Sequence, residues 1–547
     1  MNVYFYRLEG EKEGYLSLAI EVDFWYWKKR GKTLAEVYLA PSIREAWSLA
    51  SGRKAKSQCL VKMPFENESP MWMNQAKNLF SLLAGRALLW QEVNRLVENH
   101  SFDIDSASLK RALQILILEQ RCQLKPGVIK HGSVRKWRCE RCHYQGTEIK
   151  ATICSSCGGE CAVCEHCILM GRCRACTPFF LFQPEEIKQT RPVFQDGLFS
   201  LTLSQQRVSN EIEALLKKQE KRVLVWAVTG AGKTEVMFPV IKKWLEQGKR
   251  ILWATPRKDV VLELYPRFKK VFSESNVIAL YGGSAQRWLS SSFVLATCHQ
   301  VWRYYHYFDL MIIDEVDAFP LYGDPALESG LCRAVVPGGQ QVLLTATPPV
   351  SWQDSAKRGR LATVMLPVRY HGRPLPLPRL FQENRLWAKI SKGKTIGTLT
   401  RFLHHLDQHE GQAFIFVPRV QDIRLMLLWL KKNAPSFFVK ASGVHARDPF
   451  REQRIREFRQ GKWRVLVTTT ILERGVTVPR CHVLVVGGDH PVFDETTLVQ
   501  IAGRVGRNAD YQKGVVWFLA QEKTKAQKQA LKKIKRLNHF AEKEGFC

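Results

Sequence analysis

From about residue 200 onward, the chain alternates between two hydrophobic rhythms. Short β-branched apolar runs, the pattern of strands buried on both faces, are each followed by stretches with apolar residues at helical spacing. A first set of predicted strands is Val223–Val228, Ile251–Ala254, Phe293–Ala296, Leu310–Ile313 and Val342–Leu344. A second set is Ala413–Val417, Phe437–Lys440, Arg464–Val467 and Val483–Val486. Intervening helices include Val236–Leu245 and Val420–Lys431, and the Pro-rich stretch Leu366–Arg379 divides the two sets. Strand–helix alternation of this kind predicts an α/β fold with two tandem parallel-sheet lobes.

The first part of the chain lacks this rhythm. Val3–Tyr6 and Tyr15–Trp27 read as a strand pair around the polar turn Gly10–Gly14, with Met71–Val97 and Ser108–Leu124 as amphipathic helices. The expected organisation is a small α+β accessory domain over 1–130 and a cysteine module over 131–178. A linker over 179–196 follows, then a first lobe over 197–366, an interlobe linker over 367–379 and a second lobe over 380–547. The second lobe ends in a basic helix, Lys523–Lys543. No chemistry is assigned to the accessory domain.

The first predicted strand runs into Ala227-Val228-Thr229-Gly230-Ala231-Gly232-Lys233-Thr234-Glu235. A strand feeding a glycine loop that opens a helix is the setting of a phosphate-binding loop. Gly230 and Gly232 let the backbone wrap a polyphosphate, while free N–H groups at the helix start attract the anion. Thr229 to Glu235 is therefore the expected ATP loop. Lys233 reaches the β/γ-phosphates, and the Thr234 hydroxyl contributes to a Mg²⁺ shell. Leu310–Ile313 runs into Asp314-Glu315-Val316-Asp317, where Asp314 would hold Mg²⁺ and Glu315 would polarise the attacking water. Thr345-Ala346-Thr347 is a hydroxyl-bearing loop suited to linking the ATP state to the second lobe. Gln205 is expected at the adenine edge, and Gly475 and Gln500 complete the nucleotide set from the second lobe. Arg504 and Arg507, three apart on one predicted helix in QIAGRVGR, would stabilise charge on the γ-phosphate.

Charge narrows the partner. The 82 Lys+Arg exceed the 51 Asp+Glu and leave +31, an excess that points first to nucleic acid and second to an acidic membrane surface. Loops after the predicted strands supply candidate DNA contacts: Pro256 and Arg257, Thr297, His299 and Gln300, then His445, Thr468 and Thr469. No run approaches the roughly eighteen apolar residues of a membrane span, and no secretory signal is visible at the N-terminus.

Nine of the 15 cysteines fall in the module over 131–178. Each C-x-x-C offers two thiolates to one Zn²⁺, and two such knuckles complete a tetrahedral site. The expected pairing interleaves them: Cys139 and Cys142 with Cys164 and Cys167, then Cys154 and Cys157 with Cys173 and Cys176. Cys161 is left over, and a sequential pairing is the alternative. Clustered thiols beside an ATP site imply metal in a reducing cytoplasm.

From Leu201 onward the chain resembles a superfamily 2 helicase, whose lobes are RecA-like. FDLMIIDEVDAFP at Phe308–Pro320, TTTILERGVTV at Thr468–Val478, QIAGRVGRNAD at Gln500–Asp510, and CERC and CEHCILMGR in the cysteine module resemble the late competence protein ComFA family. That resemblance implies a cytoplasmic, peripherally membrane-associated ATPase stimulated by single-stranded DNA. Such an enzyme helps draw transforming DNA through an uptake channel beside other competence proteins, and a homo-oligomer is compatible with it. It also implies the four-cysteine zinc set Cys139, Cys142, Cys164 and Cys167. The alternatives are a PriA-type replication-restart or repair helicase, whose zinc module sits within the second lobe, and a zinc-containing DNA-binding scaffold with a non-motor ATPase.

Overall fold

The computed structural model describes residues 1–51, 69–131, 136–185, 194, 199–472, 478–507, 511 and 514–545. The expected nucleotide contact Gly475 lies outside them.

Two parallel sheets dominate. In the first lobe the strand order is Ile278–Leu280, Phe293–Thr297, Ile251–Thr255, Phe308–Asp314, Val335–Thr345, Arg222–Ala227, Ala362–Leu366. In the second it is Arg379–Gln382, Val516–Ala520, Cys481–Val486, Gln412–Phe416, Val465–Thr468, Ala441–Val444. Ile251–Thr255 and Phe293–Thr297 are buried along their whole length, as strands covered by helices on both faces must be. One hydrophobic core runs through both lobes, from Val223 and Trp253 to Phe414 and Val485.

The N-terminal part is α+β. Gly14–Ser17, Val3–Leu8 and Leu34–Ala40 form an antiparallel sheet in that order, packed with five helices from Ile20–Lys28 to Ser106–Leu118. The strand expected over Tyr15–Trp27 ends at Ser17, and Ile20–Lys28 is helical. Its aromatic residues favour strands by type, but Glu21 and Asp23 in the first turn and Lys28 in the last complement the helix dipole. Packing on Ser106–Leu118 decides the outcome, with Gln114 donating to the buried Asp23 carboxylate at 2.8 Å.

Met71–Val97 is likewise not one helix. Ser69–Leu83 stops just before Gly85 in the left-handed conformation (φ +71°), and Ala87–Leu89 crosses as a strand before Trp90–Asn99. The segment expected as a linker from 179 begins as the strand Pro178–Phe182, held between Ala87–Leu89 and Cys122–Pro126. The cysteine module is thus stapled at its base to the N-terminal helices. In the second lobe, Pro435 opens the short helix Pro435–Phe438 where a strand is expected, and the strand follows at Ala441–Val444.

Candidate functional site

The two lobes face each other across a cavity of about 540 Å³ lined by Gly230, Lys233, Thr234, Asp314, Glu315 and Arg507, among others. The phosphate loop leaves the strand Arg222–Ala227, and both Gly230 and Gly232 adopt φ +81°, a conformation that disfavours any residue with a Cβ. A Cβ on Gly232 would also overlap the Gln205 amide. Lys233 opens the next helix at the cavity floor. Burial presses its ammonium below the usual lysine range, against the opposing pull of Asp314 and Glu315. Asp314 is 7% exposed and its carboxylate accepts the Glu315 N–H at 2.9 Å.

Gln205 is tied on both sides. Its carbonyl accepts the Thr202 N–H at 3.0 Å, closing a capping box, and its amide donates to the Ala231 carbonyl at 2.9 Å. The side chain expected at the adenine edge therefore fixes the first-lobe helix to the phosphate loop, while still lining the cavity.

The helix expected to carry the two arginines spans only Glu495–Ala502. Arg504 and Arg507 lie in the turn after it, where Gly506 takes φ +69°. Arg504 is 1% exposed, and desolvation followed by repulsion from Arg507 presses its guanidinium down to about 9. Desolvation lowers Arg507 too, with Glu263 opposing. Gln500 lines the cavity and donates to the Thr347 hydroxyl at 3.0 Å. Thr347 and Thr345 both donate to the Asp317 carboxylate, Thr345 at 2.7 Å. A continuous hydrogen-bonded path therefore runs from the Asp314–Asp317 loop, through Thr347, to the second lobe.

A Cβ on Gly503 would overlap the Thr229 hydroxyl across the cleft. Gly503→Ala is expected to slow ATP hydrolysis by roughly 10²-fold, the scale of a displacement of about 1 Å at a reacting centre. Its melting temperature should stay near the parent's, which steady-state assays and thermal melts of both proteins test together. Glu263, Arg267 and Tyr370 line the same cavity, and Arg369 packs beside Gly230 next to it; none carries a motif, and Arg267 pairs with Glu235.

The expected DNA contacts divide. Arg257, His299 and His445 are half-buried and border solvent, whereas Pro256, Thr297, Gln300, Thr468 and Thr469 are buried. Gln300 turns inward, accepting from Arg303 and donating to the Met170 sulfur at 3.5 Å, so its side chain is committed to the cysteine module.

In that module Cys139, Cys142, Cys164 and Cys167 gather their sulfurs within 4.8 Å of one another, buried and without disulfides. Arg141 donates to the Cys167 sulfur at 3.0 Å and to three neighbouring carbonyls. Four converging thiols with a buried cation behind them fit a tetrahedral Zn²⁺. The second cluster corrects the expected pairing: it is Cys154, Cys157, Cys161 and Cys176. Cys173 pairs directly opposite Cys164 in the hairpin register, which draws its sulfur to 3.6 Å from that of Cys139 and away from the second cluster. The module is fastened to the first lobe by Arg333, which donates to the Glu140 carbonyl at 2.9 Å and to the Trp302 carbonyl at 2.7 Å.

Residues 198–349 match the family described as type III restriction enzyme, res subunit, and residues 394–509 match the helicase conserved C-terminal domain. With the two parallel-sheet lobes, these matches define a superfamily 2 helicase-like ATPase that uses ATP and Mg²⁺. Residues 70–181 match the competence protein ComFA N-terminal domain. Competence protein ComFA of Bacillus subtilis is 38% identical over 75% of this chain and 87% of its own length. The Streptococcus pneumoniae protein of that name is 34% identical over 69% of this chain and 86% of its own. The chain belongs to the competence protein ComFA family. Among solved structures, S. cerevisiae Dbp5 bound to RNA and ADP BeF3 aligns over 63% of this chain and 93% of its own at a TM-score of 0.47, with 17% identity.

Proposed function

We propose that this protein is a motor that hydrolyses ATP in step with movement along single-stranded DNA, and that it helps import transforming DNA. The observation that supports this reading is the Asp317–Thr347–Gln500 path, which ties the loop carrying Asp314 and Glu315 to the second lobe. Lys233 and Arg507 would hold the triphosphate from opposite lobes, and Thr234 and Asp314 would hold Mg²⁺. That ion, when bound with ATP, neutralises charge building between the β- and γ-phosphates. Glu315 takes up the proton of the attacking water, and Arg504 and Arg507 stabilise charge on the transferred group. Arg257, His299 and His445 are the side chains offered to the DNA backbone, while the other strand-end loops contribute main-chain groups.

The family points to work beside a DNA-uptake channel with other competence proteins, on the cytoplasmic face of the membrane, with a homo-oligomer compatible with this role. Among the described residues, no helix is long and apolar enough to cross a membrane. The net charge of +31 favours sequence-tolerant phosphate binding. Anisotropy titrations of a fluorescent oligo-dT strand across a salt series test this. The logarithm of affinity should fall linearly with log salt, at about −0.7 per phosphate contacted. A salt-independent affinity would contradict the reading.

A further inference from the structure

The interlobe linker borders the nucleotide cavity, which its Tyr370 lines. Strand Ala362–Leu366 lies beside strand Arg222–Ala227 with Leu366 opposite Ala227, so the chains leaving both strands emerge side by side. The Val228 N–H donates to the Leu366 carbonyl at 3.0 Å, and the Tyr370 N–H donates to the Gly230 carbonyl at 3.1 Å. Linker and phosphate loop are stitched together at the residue where the loop turns.

Arg369 sits at this seam. It is 2% exposed, and Nη1 donates to the Gly506 carbonyl at 2.6 Å, in the turn that carries Arg507. His371 meets the same carbonyl at 2.9 Å. The space a Cβ would fill at Gly230 is bounded by Arg369 Cγ and Nε and by Arg507 Cγ, each at 3.7 Å. Among the described residues, Arg369 Nε and Nη2 are both buried without a hydrogen-bond partner. A guanidinium stripped of water with two N–H groups unmet is a strained arrangement unless an anion comes to it. Burial first, and repulsion from Arg507 second, press this group down to about 9.

We infer that Arg369 is a third phosphate-reading arginine. It is supplied by the linker rather than by either lobe, and it offers its two spare N–H groups to the terminal phosphate of a nucleoside triphosphate. The proposal rests on the ATPase site but not on the DNA-motor reading, because it concerns nucleotide alone. With triphosphate bound, the linker, the phosphate loop and the Arg507 turn all share one anion. With diphosphate bound, the Arg369 contact is lost, and the linker becomes the element that reports which nucleotide is present.

The test measures equilibrium binding of fluorescent ADP and of a fluorescent non-hydrolysable ATP analogue, with Mg²⁺ and without DNA, to the full chain and to Arg369→Gln and Arg369→Lys. Arg369→Gln should lose roughly 10- to 100-fold in affinity for the triphosphate analogue, the scale of hydrogen bonds to a charged group. It should keep ADP affinity within about twofold, and Arg369→Lys should recover part of the loss. Equal losses for both nucleotides would reduce Arg369 to a prop of the Gly506 turn and overturn the proposal. Unchanged affinity for both would overturn it as well. If Arg369→Gln melts well below the parent, the Arg369→Lys comparison alone decides, by whether the ratio of triphosphate to diphosphate affinity shifts.

Discussion

Glu315→Gln protein binds ATP as tightly as the parent and hydrolyses it roughly 10²- to 10³-fold more slowly, the scale of removing one group that acts on the developing charge. Glu315 is held at φ +55°, a left-handed conformation that a residue with a Cβ adopts at a cost of about 1–2 kcal/mol. The Asp314 carboxylate holds that conformation by accepting the Glu315 N–H, and so directs the side chain into the cavity. Glutamine keeps the shape and the hydrogen-bonding reach but cannot take up a proton. Binding therefore survives while the chemical step fails. Single-turnover hydrolysis beside nucleotide titration separates the two, and near-normal turnover would remove Glu315 from the base role.

The second large effect concerns the cysteine clusters. Purified parent protein should carry two Zn²⁺ per chain, Cys142→Ser and Cys161→Ser one each, and Cys173→Ser two. Metal analysis on all four proteins tests this. In small metal-built domains the ion supplies about 10–16 kcal/mol of the folding free energy, so losing either ion unfolds part of the module. The damage at the first cluster should spread. Arg141 is a buried cation on module carbonyls and a cluster sulfur, Arg333 bridges the module's Glu140 carbonyl to the Trp302 carbonyl, and Cys139, Trp302 and Leu343 belong to one hydrophobic core. Chelation or Cys142→Ser should therefore lower the melting temperature of the first lobe by more than about 5 °C, a loss of roughly 2 kcal/mol for a lobe of this size. An ion lost from Cys173→Ser but kept in Cys161→Ser would restore the interleaved pairing and contradict the structure.

Much of this was legible in the sequence, for physical reasons that also mark where legibility ended. Val223–Val228, Phe293–Ala296 and Val483–Val486 announce themselves because a strand covered on both faces must be apolar at every position. The edge strands Ala362–Leu366 and Arg379–Gln382 are partly exposed, the first broken by Thr363 and the second polar at both ends, and give a weaker signal. Lys233, Asp314 and Glu315 stand out in the sequence because phosphate and metal chemistry fix both residue type and spacing, and the three line one cavity. Glu263 and Arg267 line the same cavity, and Arg369 packs beside Gly230, through tertiary packing, which spacing does not encode. The pairing of the second cluster failed for a related reason: C-x-x-C spacing is local, whereas the Cys173–Cys164 register that diverts Cys173 is set across a hairpin. The two arginines, expected on a helix, follow it instead: the helix closes at Ala502, and Gly506 turns to φ +69° between them.

The central claim is that nucleotide chemistry in this cleft is coupled to a single DNA strand. Steady-state ATP hydrolysis by the purified protein, alone and with single- or double-stranded DNA, beside Lys233→Ala, tests it most directly. Lys233 is the half-buried cation at the base of the phosphate loop, so its removal should abolish turnover in every condition. Strong stimulation by single strands, weak stimulation by duplex and none in Lys233→Ala is the predicted result. Hydrolysis unaffected by either DNA, or stimulated equally by duplex, would contradict a single-strand motor.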